Sequence, residues 1–358
     1  MRTFAARVFL LFLSSALVAQ QSGPQPLGRA VQDGSLSANP LASPGQTPLA
    51  SQTQKRKQPP AKPPAKHLKR TEIEGSMVGY IEPAAVQTAM RVRFDAGFDA
   101  PRPDRAEYFY AGTSAPGGGG TQRTLNFQQL YLYGEYAPLK RVSASFQLPF
   151  RWIQPTFVPG TVPAATVPTP PTGGGIGDVQ AALKFAAIAS PARALTLQLR
   201  GYFPSGNGTN GLGTNHFSIE PKLLFYQKLS SRAALEAEAG DTHPIGGTQY
   251  RATPSSSPRN FAADVAMYGL GPSYRLIQRD RYSIAPVFEL AAWHVFGGLQ
   301  TGSTNVVQSA GGINVLNAKL GARASFSNGS SIYAGYGRSL TSDIWYRNLF
   351  RIEYRQVF

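Results

Sequence analysis

A two-residue alternation of apolar and polar side chains, recurring from residue 87 to residue 358, constrains this chain more than any other feature. In "MRVRFDAGFD", Met90, Val92, Phe94, Ala96 and Phe98 alternate with Arg91, Arg93, Asp95, Gly97 and Asp99. A helix would scatter these residues around its axis, whereas a strand divides them between two faces. "RVSASFQLPFRW" sets Val142, Ala144, Phe146, Leu148, Phe150 and Trp152 against Ser143, Ser145, Gln147, Pro149 and Arg151. "ALTLQLRGYF" sets Leu195, Leu197, Leu199 and Phe203 against Thr196, Gln198, Arg200 and Tyr202. About twelve such stretches predict strands near 87–99, 125–137, 141–152, 178–188, 194–204, 215–228, 232–242, 261–275, 282–296, 313–326, 331–339 and 344–358.

The connections alternate too. "PLK", "ASPAR", "LSS", "IQRDR" and "SNGS" are short, while 100–124, 153–177, "SGNGTNGLGT", 243–260 and 297–312 are long and rich in Gly, Pro or Ser. Short turns at one rim, long loops at the other and an even strand number are the layout of bacterial transmembrane β-barrels. No apolar run approaches the length that a membrane-spanning helix needs, so a crossing would use strands. A barrel of about eight strands is filled by its own side chains, and a twelve-stranded one lined only by apolar groups would enclose a void. The apolar face is therefore expected to meet lipid and the polar face to line the lumen. Two aromatic girdles fit this: Phe98, Trp152, Phe203, Trp293 and Trp345 towards the long-loop rim, and Tyr136, Tyr226, Tyr274, Tyr282, Phe326 and Tyr354 towards the short-turn rim. The fold class read here is all-β, a transmembrane antiparallel up-and-down β-barrel over 76–358.

Residues 1–19 have Arg2 and Arg7, an apolar run and small residues around Ala19, which is the layout of a signal peptide. Residues 20–75 carry few large apolar groups and should form a disordered, Pro/Lys-rich periplasmic tether. Its basic run could touch peptidoglycan or anionic lipid, or serve as a solvated spacer. Of 35 Lys and Arg, two fall in the leader and eight in this segment; of 19 Asp and Glu, three fall in the segment; 25 bases and 16 acids remain beyond residue 75. Those bases are interleaved with acids along strands, which makes no nucleic-acid patch.

Motifs for chemistry are scarce, and neither cofactor nor enzymatic activity is expected. "GGGGTQR" and "GGGIGD" lack the Lys and Ser/Thr of a phosphate cradle. His67, His216, His243 and His294 show no metal-ligand spacing. His216 and Ser218 would share a strand face about 7 Å apart, beyond the reach a base needs to activate a nucleophile.

The inward parity predicts a charged lumen of Arg91, Arg93, Asp95, Arg151, Lys184, Arg200, Glu220, Lys222, Glu236, Glu238, Asp264, Glu289, Lys319, Arg323, Arg351 and Glu353. It can act as a selective constriction or as a salt-bridge mesh that stiffens the barrel. At the long-loop mouth, Phe109, Tyr110, Phe157, Tyr250 and Phe296, near Trp152 and Trp293, could stack on an aromatic solute or simply belong to the upper girdle.

Two resemblances add to this. "FRIEYRQVF", with Phe350, Ile352, Tyr354 and Phe358 on one parity, resembles the terminal-strand signature that the barrel-assembly machinery reads, with Gln356 in place of an apolar residue. "GGGIGDVQAALKFAAI" and the stretch after it resemble the outer-membrane family named for the meta-cleavage pathway of phenol degradation: Gly175, Ile176, Gly177 and Asp178 lead into a strand, and Pro204, Ser205 and Gly206 leave the next one, with Asn207 where an acid is usual. The resemblance implies an outer-membrane channel or transporter for small apolar or aromatic molecules. The other expectation is a non-transport barrel that anchors its tether or surface loops. An open lumen would favour the first and a plugged lumen the second.

Overall fold

The computed structural model describes residues 76–100, 122–157, 173–208, 211–247, 249–250, 254–301 and 307–358. The signal peptide and tether expected at 1–75 lie outside the described residues. Twelve long strands form the body: β1 (Ala89–Ala100), β2 (Gln122–Leu139), β3 (Val142–Phe157), β4 (Val179–Ala189), β5 (Arg193–Phe203), β6 (Phe217–Lys228), β7 (Ala233–Ile245), β8 (Val265–Tyr274), β9 (Tyr282–Val295), β10 (Asn314–Phe326), β11 (Ser330–Ser339) and β12 (Asn348–Val357). Each pairs antiparallel with its neighbours in the chain, and β1 closes on β12 in register from Ala89–Val357 to Phe98–Asn348. Closure leaves the twelve-strand sheet without an edge strand, the condition for strands to cross a bilayer.

The turns at 140–141, 190–192, 229–232, 275–281 and 327–329 define one rim, and the longer connections, among them 204–216, 246–264, 296–313 and 340–347, define the other. The alternation sorts as read. Leu197 and Leu199 are each 53% exposed, while Gln198 between them is 3% exposed. Met90, Phe146, Leu183, Phe288, Leu320 and Phe350 also lie exposed on the outside. Exposed aliphatic and aromatic groups on strand after strand make a lipid-facing band, and the barrel spans a membrane.

The girdle reading needs correction at three positions. Trp152, Phe203, Tyr136, Tyr274, Tyr282, Phe326 and Tyr354 are exposed. Tyr226 and Trp345 are buried, and Trp293 packs against Trp345. Tyr226 follows Glu220 and Lys222 on the inward parity of β6, and Trp293 follows Glu289 on that of β9. Trp345 lies in the 340–347 connection, because β12 begins at Asn348.

The sheet is irregular beside β3. The lower part of β3 pairs with β4, but its upper part pairs with the short strand Gly173–Ile176, and the chain breaks step at Gly177 and Asp178.

Candidate functional site: a plugged lumen

Residues 76–88 run inside the barrel. They start near the short-turn rim, where Arg355 donates to the Ser76 carbonyl (3.1 Å), and bend at 79–81 in mid-lumen. They return to the same rim, where the Phe358 amide donates to the Thr88 carbonyl (3.0 Å) at the start of β1. Met77, Val78, Ile81, Ala84 and Ala85 are all buried. Burial of the larger apolar side chains contributes about 1.5–3 kcal/mol each.

An irregular segment in a barrel needs partners for its backbone, and the inward side chains supply them. Glu289 accepts from the amides of Gly79 (3.0 Å), Tyr80 (2.8 Å) and Ile81 (2.9 Å). Glu236 accepts from Met77 (3.0 Å) and Glu238 from Glu82 (3.1 Å). Arg323 donates to the carbonyls of Met77 (3.0 Å) and Val78 (2.7 Å), and Arg351 to that of Gly79 (2.7 Å). Lys184 reaches the Pro83 carbonyl (3.3 Å), and the Thr196 hydroxyl donates to that of Ala84 (2.6 Å). Gly79 has no room for a side chain, because a Cβ there would enter the ring of Tyr333.

Most of the other inward charges pair with each other, which offsets the cost of burying them. Arg351 holds Asp95 through two bonds of 2.6 and 2.7 Å, with Arg93 3.4 Å from the same carboxylate. Glu353 receives Arg323 (2.8 Å) and Arg355 (2.9 Å), with Arg91 at 3.8 Å. Lys222 lies between Glu220 (3.1 Å) and Glu238 (3.5 Å), and Lys184 meets Glu135 (3.1 Å). Arg200 pairs with Glu82 and stands 3.6 Å from Glu220. Arg91 and Arg93 also lie over the rings of Tyr133 and Tyr131, at 4.0 and 3.8 Å.

Fifteen of the sixteen expected lumen residues thus face inward. Asp264 does not: it precedes β8 on the parity opposite to inward Val265, and pairs with half-exposed His243 at 2.6 Å. The expected mouth aromatics among the described residues do not assemble. Phe109 and Tyr110 lie outside the described residues, as do the side chains of Phe157 and Tyr250. Trp152 faces outward, and Phe296 is exposed and meets His294 edge-on at 4.8 Å. Among the expected group, Trp293 enters the lumen.

There it joins an apolar cluster that sequence reasoning missed. Trp345, Tyr346, Phe127, Ile153, Val265, Val295, Val315 and Leu349 fill the long-loop end of the barrel, with Trp293 and Tyr80 packed against them. Trp293 and Trp345 have centroids 4.8 Å apart. Between this cluster and the plug tip lies a cavity of about 130 Å³, and a second of about 100 Å³ lies beside it near Arg93, Arg151 and Arg200. Glu135, Tyr333 and Arg355, with Glu82 on the plug, are further lumen residues that the sequence pattern did not single out.

The residues carrying the family resemblance meet at one point. The Asp178 carboxylate accepts from the Gly206 amide (3.1 Å), the Thr214 amide (2.8 Å) and the Thr214 hydroxyl (2.8 Å). Ser205 Oγ donates to the Gly177 carbonyl (2.9 Å) and accepts from the Val179 amide (2.9 Å). This clasp turns the 204–216 connection inward, and buried Leu212 lies beside Gly175. His216 Nδ1 contacts the Thr214 carbonyl (2.9 Å). Among the described residues no group of three or more His, Cys, Asp or Glu is placed to hold a metal.

No protein-family model matches the chain, and no curated protein matches it. Solved structures that are similar to it include outer-membrane barrels. An outer membrane channel from Pseudomonas putida F1 has 16% identity and a TM-score of 0.47, over 76% of this chain and 96% of that one. The NanC porin has 8% identity and a TM-score of 0.41, over 75% and 99%. The β-domain of the Bordetella autotransporter BrkA has 16% identity and a TM-score of 0.43, over 76% and 100%. At these values the likenesses carry neither activity nor solute to this chain.

Proposed function

We propose that this chain is a bacterial outer-membrane channel for small apolar or aromatic molecules, in which the plug of residues 76–88 and the apolar cluster at the long-loop end must both shift for passage. The observation that carries this reading is the cavity between the plug tip and the outer cluster, which is lined by Phe127, Trp293, Trp345 and Tyr346. A wholly charged channel would give an apolar solute no reason to leave water, whereas Trp293, Trp345, Tyr346 and Phe127 offer it apolar surface inside the barrel. The resemblance to the phenol meta-cleavage family supports the same class of solute. In this reading the chain is exported by its leader and inserted by the barrel-assembly machinery through Phe350, Ile352, Tyr354 and Phe358, and segment 20–75 stands in the periplasm within reach of peptidoglycan.

The seated plug favours a second reading, a barrel that only anchors its N-terminal segment or its surface loops. Proteoliposomes separate the two. Under the channel reading, toluene and phenol enter protein-containing vesicles faster than empty ones, and faster still when Glu289→Gln loosens the plug. Equal rates in empty vesicles and in vesicles with either barrel would leave the anchor.

A further inference from the structure

Among the described residues, Lys319 is a lumen cation with no ion pair. Around the cavity between the plug tip and the outer cluster stand five cations, Arg93, Arg200, Lys222, Lys319 and Arg351, against four carboxylates, Glu82, Asp95, Glu220 and Glu238. The other four cations each have a carboxylate within 4 Å. Lys319 is 4% exposed, yet among the described residues its ammonium makes no hydrogen bond or ion pair. Its cross-strand neighbour is Glu289, whose two oxygens are occupied by the plug amides and the Tyr333 hydroxyl. Lys319 instead meets two rings, with Nζ 4.1 Å from the centroid of Tyr80 and 5.4 Å from that of Trp293.

A buried ammonium without a counter-ion is costly, and here it borders a cavity walled on one side by rings. At about 130 Å³ the cavity is close to the ~150 Å³ that accommodates a benzene ring in an engineered protein core. We propose that this cavity binds a small aromatic anion, with its carboxylate or phenolate oxygen on Lys319 and its ring against Tyr80, Trp293 and Tyr346. The assignment rests on the channel reading and specifies, within its aromatic solutes, an acidic one. The site exists only with the plug seated. Tyr80 is part of the plug, and release of Glu289 would give Lys319 a carboxylate of its own.

Isothermal titration of the detergent-solubilised full chain tests this, with benzoate, its neutral near-isostere benzamide, and toluene as probes. Benzoate should bind at least tenfold more tightly than benzamide. Lys319→Met should abolish that preference and leave toluene affinity within twofold, while Lys319→Arg should retain it; Lys319→Gln replaces Lys319→Met if the latter does not fold. Equal affinities for benzoate and benzamide in the unaltered protein would overturn the proposal, as would a preference that survives loss of the ammonium. Binding is measured without passage. Benzoate preference in a barrel that admits nothing to vesicles would refute the channel alone, and toluene passage without benzoate preference would refute the anion site alone.

Discussion

Glu289→Gln should unseat the plug while leaving the barrel intact. In the closed lumen one carboxylate oxygen accepts from the Gly79 amide and the Tyr333 hydroxyl, and the other from the amides of Tyr80 and Ile81. The best placement of a glutamine turns its NH2 towards Gly79 and lets the Tyr333 hydroxyl accept. One charge-assisted bond of about 2 kcal/mol is then lost, and the other three weaken by about 1 kcal/mol each as the charge disappears. The gross change is about 5 kcal/mol. Bonds within one network are not additive, and with the plug out Glu289, unlike glutamine, can pair with Lys319 across the strands. A net loss of about 3 kcal/mol is the working figure, roughly a hundredfold in the ratio of unseated to seated plug. Amide exchange at Gly79, Tyr80 and Ile81 reads that ratio directly, and heat-modifiable gel mobility verifies that the variant barrel is folded. A folded variant whose exchange at those amides stays within threefold of the unaltered protein would refute the claim that Glu289 holds the plug.

Leu197→Arg or Leu199→Arg should cost about 2–4 kcal/mol if the position lies near the bilayer midplane, whereas Gln198→Arg, on the lumen face, should cost far less; urea titration in lipid vesicles compares them, and equal costs would contradict the lipid–lumen alternation. Asp178→Asn should loosen the clasp on the 204–216 connection by about 1.5–3 kcal/mol, seen as roughly ten- to hundredfold faster amide exchange at Gly206 and Thr214 with no change in the strands. Deletion of Phe358, exposed on the outer face of the closing seam, should lower outer-membrane insertion and leave aggregate in the periplasm, measured by the fraction of chain with heat-modifiable mobility.

The barrel was legible because its code is local. A period of two survives without knowledge of any partner strand, and all twelve expected strands overlap observed ones. Parity also placed the charges other than Asp264, and it holds the position of Trp293 too: four residues beyond Glu289, that ring must share the face of Glu289, and a girdle assignment for it conflicts with the parity. Glu135 was harder to place. β2 has Leu130, Leu132 and Tyr136 on one face and Tyr131, Tyr133 and Glu135 on the other, so neither face reads as polar. The plug was illegible for a different reason. "SMVGYIEPAAVQ" has no period, and its fit depends on Glu236, Glu289, Arg323 and Arg351, which are brought together only by closure. A trace remained in the run Met77, Val78, Tyr80 and Ile81, apolar residues directly after a polar spacer, with Gly79 at the point of closest packing.

The plug also fixes an order of events in folding. Its bonds to Arg355, Arg351 and Arg323 link residues 279, 272 and 246 positions apart, and those to Glu289 span 208 to 210. Contacts of such separation form late, since the long intervening loop must first be closed. Residues 76–88 are synthesised before every strand that holds them, yet their binding site is complete only when β12 has joined β1. The growing sheet is therefore hollow until the seam closes, and a chain arrested before that step is an unplugged one.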